Sequence, residues 1–152
     1  MISALKRFIA DLAGEPEPKP VSADTARLAA AALLYHVIAI DGVVEQDELK
    51  RLRVLLKDRF ALGDADVDDL VAAAEAADKE AIDLYGFTSV LKQRLDIAER
   101  ERIVGMMWEL VFADGAMHEF EDNLIWRAAE LLGVASEARI RLKQVARGDG
   151  VA

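Results

Sequence analysis

Ile40-Asp41-Gly42-Val43-Val44-Glu45-Gln46-Asp47-Glu48 and Ala113-Asp114-Gly115-Ala116-Met117-His118-Glu119-Phe120-Glu121 are one phrase written twice. Each copy has an apolar lead-in, Asp-Gly, a buried-type aliphatic two residues on (Val44, Met117), and Glu seven after the Asp (Glu48, Glu121). The offset is 73 residues, from Asp41 to Asp114. The lead-in aligns too: Leu34 with Met107, Tyr35 with Trp108, Ile38 with Val111. A unit repeated at fixed offset is a duplicated supersecondary element. The expected architecture is therefore two helix–loop–helix units about an approximate twofold axis.

Composition agrees with a helical reading. The 152 residues suit one domain with its own core. Apolar residues make up 53%, rich in Ala and Leu with three prolines, which favours helix over sheet. No cysteine is present, which removes disulfides, zinc–thiolate sites and cysteine nucleophiles. With 28 acidic against 19 basic residues the net charge is −9. Phosphate backbones need a basic surface, so nucleic acid is not an expected partner. Cations or basic partners suit this charge.

Taken outward from the repeat, the chain divides into four. Residues 1–13 place Ile2, Leu5, Phe8, Ile9 and Leu12 at helical spacing, with Lys6 and Arg7 on the polar side. This amphipathic helix is too short and too charged to span a bilayer. Residues 14–21 hold all three prolines and form a linker, since proline fixes φ and removes a backbone donor. Residues 22–147 are the helical domain, and 148–152 a frayed tail. No stretch alternates with period two, so the class is all-α: a single-domain bundle of about seven helices. Ser22, Asp64 or Asp66, Asp96 and Ser136 are the expected helix caps, with Gly63 and Gly133 as stops. A helix is also expected to open at Thr88, after Gly86 interrupts a helical connection over residues 76–85. The segments before the two Asp-Gly pairs are the most apolar and should lie at the centre.

Two physical readings of the repeated acids stand side by side. Glu48 and Glu121 sit three residues after Glu45 and His118, the position from which a capping-box carboxylate accepts an orphan backbone N–H. Alternatively, Asp-Gly followed seven after the Asp by Glu is the back half of an EF-hand calcium loop. The front half is missing, because its first ligand positions would be Val37 and Ala39, or Leu110 and Phe112. If the loops face each other, Asp41, Glu45, Glu48, Asp114, Glu119 and Glu121 form a shared acidic cluster for a divalent cation such as calcium.

The doubled motif in an acidic helical domain resembles the TerB-like family, whose namesakes are tellurite-resistance proteins. The resemblance covers about residues 22–147, and the family acids map onto Asp41, Glu48, Asp114 and Glu121. It implies a non-enzymatic binding or scaffold domain linked to tellurite resistance or metal and envelope stress. It also implies a protein partner associated with the membrane, and a cytoplasmic location peripheral to the inner membrane. A cation-dependent hydrolase using the same carboxylates is the alternative. Elsewhere the chemistry is thin. His36 reads as a core or half-buried histidine, and Trp108 and Trp126 as core. Gly105 reads as a close-packing residue, and no serine sits in a nucleophile elbow.

Overall fold

The computed structural model describes residues 23–40, 42–113 and 119–148, and among these every regular element is a helix. The seven are α1 (Ala23–Ala39), α2 (Gln46–Phe60), α3 (Asp64–Glu80), α4 (Tyr85–Arg94), α5 (Ile97–Phe112), α6 (Glu119–Leu131) and α7 (Ser136–Arg147). The expected amphipathic helix over residues 1–13, the linker and the frayed tail lie outside the described residues, as do Ser22, Asp41, Asp114 and His118.

α1 is the hub, packing on α2 to α6. It can do so because it is apolar all round: Leu28, Leu33 and Leu34 are fully buried. It packs most extensively on α3, and both helices bury small side chains, Ala29 to Ala32 on α1 and Ala73, Ala74 and Ala77 on α3. Small side chains on both helices let the two axes approach closely. α5, the second apolar lead-in, buries Ile103, Val104, Met107, Trp108 and Val111, as its periodicity requires. α7 lies across α5, and a Cβ added to Gly105 would meet Leu142 Cδ2 at 3.5 Å. That is ordinary contact, consistent with a glycine at a helix crossing.

The helix ends show how the chain changes direction. α1 stops where Gly42 takes φ +85° and its N–H bonds the Ala39 carbonyl at 3.0 Å. Asp96 caps α5 in a full box: Glu99 N–H reaches Asp96 Oδ1 at 2.8 Å, and Asp96 N–H reaches Glu99 Oε1 at 3.1 Å. Gly133 ends α6 at φ +72°, and Arg100 Nη1 donates to the nearby Leu132 carbonyl at 2.7 Å.

Four local expectations are corrected. Ala61, not Gly63, takes the left-handed turn after α2 (φ 52°), and Gly63 occupies the cap position of α3. Asp64 is already helical there, and its carboxylate spans the turn to Lys57 Nζ at 2.6 Å. Ala135 rather than Ser136 is the cap of α7. α3 runs unbroken to Glu80, so the helical connection expected over residues 76–85 is helical as far as residue 80. Gly86 lies inside α4, which opens at Tyr85, not Thr88. A helical glycine costs about 1 kcal/mol relative to alanine, and here neighbouring bonds hold the turn. Asp83 Oδ1 accepts the Tyr85 N–H at 3.0 Å, and the buried Thr88 hydroxyl donates back to the Leu84 and Tyr85 carbonyls.

Candidate functional site

The acids of the repeated phrase are brought together in part. Glu48 and Glu121 line one small cleft with Val37, Ile38, Leu110 and Arg51. Val37 and Leu110 are themselves 73 residues apart, as are Glu48 and Glu121, so the cleft draws matching positions from both copies. Its volume of about 10 Å³ leaves room for about one water at most. Glu48 Oε1 accepts the Glu45 N–H at 2.9 Å, which is the capping role read from its position. Val44 and Leu49 pack against the core on either side of that cap. Glu45 does not line the cleft. Asp41, Asp114 and the Glu119 side chain lie outside the described residues. Among the described residues no three His, Cys, Asp or Glu side chains are grouped to hold a metal.

A much larger feature lies elsewhere. The C-terminal ends of α1 and α3, the link over residues 81–84, the start of α4 and one side of α6 enclose an open groove of about 900 Å³. That is within the size range of ligand-binding clefts. Leu84 and Phe87 belong to its buried floor. Ile82 is fully exposed at 100%, Tyr85 is 62% exposed and Trp126 is 43% exposed, so three large apolar side chains face solvent along one groove. Isolated exposed apolar residues need no explanation, but a contiguous set marks an interaction surface.

At one wall His36 Nδ1 lies 2.7 Å from Asp78 Oδ1. The carboxylate can only accept, so Nδ1 carries the hydrogen and Nε2 is the other polar face of the ring. The pair is half-buried, with side-chain exposures of 33% and 14%. It ties α1 to α3 at the groove edge. Beside it, Tyr35 is buried near Glu75 and Asp78. Burial first, then those carboxylates, raise its phenol above the ordinary 10.0. The folded state thus favours the neutral phenol, a contribution present below the unfolded value and lost as pH rises through the folded one. Tyr35→Phe should therefore flatten the fall of the urea midpoint above about pH 10. An unchanged alkaline slope would remove Tyr35 from that role.

His36 is half-buried, as its place in an apolar helix suggested, and Trp108 is fully buried. Trp126 is corrected: it is a groove residue, not core. The signal was present in α6, whose buried residues include Leu124, Ile125, Ala128 and Ala129. Helical spacing from Ile125 passes over position 126. Likewise Ile140 and Val145 of α7 are exposed at 47% and 60%, while Leu142 and Ala146 make the contact. Nothing in the local sequence marks Ile82 or the His36–Asp78 pair as site residues.

Comparison with known families matches the model for tellurite resistance protein TerB to residues 27–144. No curated protein and no solved structure matches the chain.

Proposed function

The chain belongs to the TerB family, and from that premise we propose that it is a non-enzymatic binding domain of a tellurite-resistance or metal-stress system. The observation that carries this reading is the groove with Ile82, Tyr85 and Trp126 exposed along it. Its partner is an amphipathic helix with a basic flank on a membrane-linked protein. Apolar anchors would enter beside Trp126, where Asp83 and Glu130 supply acidic groups, with Asp78 paired to His36 and with Arg127 and Arg139 close by. The net charge of −9 points the same way. No helix of the described residues is long and apolar enough to cross a membrane.

The test is protection of a host strain lacking its own copy against tellurite. Ile82→Asp should reduce growth to that of the empty vector, while Val54→Asp, at an exposed position on α2, should protect like wild type. Protection by Ile82→Asp equal to wild type would remove the groove from the function.

A second reading has one observation in its favour. Glu48 and Glu121 share a cleft, which supports a weak divalent-cation site completed by Asp41, Glu45, Asp114 and Glu119. Such an ion would join the two copies of the phrase and tune the domain's stability. Calcium is the expected ion, since it prefers carboxylate oxygens and tolerates irregular geometry.

A further inference from the structure

We propose that the groove is occupied in the resting protein by the chain's own residues 1–13, so that a partner must displace an internal competitor. This rests on the groove being the binding surface, and it names how that surface is regulated.

The chemistry of the segment matches the groove. Ile2, Leu5, Phe8, Ile9 and Leu12 recur at the spacing of one helix face. That is the anchor pattern of a helix laid in an apolar groove, and Ile82, Tyr85 and Trp126 are the exposed apolar side chains that would receive it. Lys6 and Arg7 stand on its polar side, and Asp83 and Glu130 line the groove as acidic groups that could meet them. Within this chain, residues 1–13 thus have the features proposed for the partner.

The reach also matches. The groove begins at His36, which is 13 residues along α1 from Ala23, or about 20 Å at the helical rise. At about 3.1 Å per residue, the nine residues 14–22 could reach at most about 28 Å if fully extended. That reach exceeds the straight-line distance between the start of α1 and the groove. A linker whose length fits the distance gives an effective concentration of about 10⁻³ M. Even a modest intrinsic Kd on the order of 10⁻⁴ M would then leave roughly nine molecules in ten closed. A partner offering the same anchors would bind about tenfold more weakly than to an open groove, the fraction open setting its apparent affinity.

The absence of cysteine makes the test clean. Ser3→Cys in the full chain carries a nitroxide, and the Trp126 indole N–H resonance is observed with that of Trp108, buried beneath Lys143, as reference. The Trp126 signal should fall roughly tenfold, in line with the closed fraction. Ile82→Asp in the groove, or Phe8→Asp in the segment, should restore it. Ile82 is fully exposed, so its substitution leaves the core intact. No loss of signal, or a loss that both substitutions leave in place, overturns the proposal. So does a loss that also appears when labelled chains are mixed with unlabelled observed chains, because the occupant is then a second copy. Tellurite protection that depends on Ile82 together with an unaffected Trp126 signal would retain the groove as the binding surface and reject its internal occupant.

Discussion

Trp108→Ala should cost about 3–5 kcal/mol, the range for removing a buried tryptophan side chain. The residue is 0% exposed, stacks on Phe112 with ring centroids 5.8 Å apart, and lies 5.1 Å below Lys143 Nζ. Its loss opens a void in the core and removes the ring against which Phe112 of α5 and Lys143 of α7 pack. Against a typical total of about 5–15 kcal/mol, that is a large fraction of the stability. At about 2–4 °C per kcal/mol for a chain of this size, Tm should fall by at least about 6 °C. Trp126→Ala is the internal comparison. Trp126 is 43% exposed with Arg139 5.8 Å over its ring, so its loss should cost about 1 kcal/mol or less. Urea midpoints of the two variants decide the matter. Comparable losses would mean that Trp126 is a structural residue rather than a binding one.

Calcium should raise the stability of the wild-type chain by about 2.7 kcal/mol at 100 times its Kd, by mass action on the folded state. The Kd should be weak, on the order of 10⁻⁴–10⁻³ M, because the front half of each loop offers no oxygen side chain. Val37 and Leu110, which would be needed as ligands, are buried apolar residues lining the cleft. Glu48 also spends one oxygen on the Glu45 N–H, which reduces what it can offer an ion. The comparison is wild type against Asp41→Asn with Asp114→Asn, at constant ionic strength so that screening is equal. A calcium-dependent rise in Tm confined to the wild type supports the site. If both respond equally, or neither responds, the acids serve as caps and solvating groups only.

Much of the fold was legible because helices declare themselves locally. The apolar faces of α2 and α5, the Asp96 box and the turns at Gly42 and Gly133 follow from spacing and backbone preference within a few residues. Errors fell where local preference was overruled. Gly86 remains helical because Asp83 and Thr88 secure the turn around it, and Ala61 takes a left-handed backbone while Lys57 and Asp64 pair across the corner. The α6 stripe already set Trp126 apart from Ile125, Ala128 and Ala129, but its apolar character concealed the difference.

The site was legible only in its acids. The 73-residue repeat brought Glu48 and Glu121 under suspicion together, and the two do line one cleft. The groove had no such signature. His36 and Asp78 are 42 residues apart, and they meet because α3 packs along α1. Ile82 lies outside any helix, and α6 must cross near α4 before Trp126 and Tyr85 line one surface. By itself the sequence determined an acidic, all-helical domain with two apolar central helices, since periodicity and charge are properties of neighbours along the chain. The tertiary structure alone decided which apolar side chains were left in solvent, because burial depends on which helices pack together, and that is a property of the whole bundle.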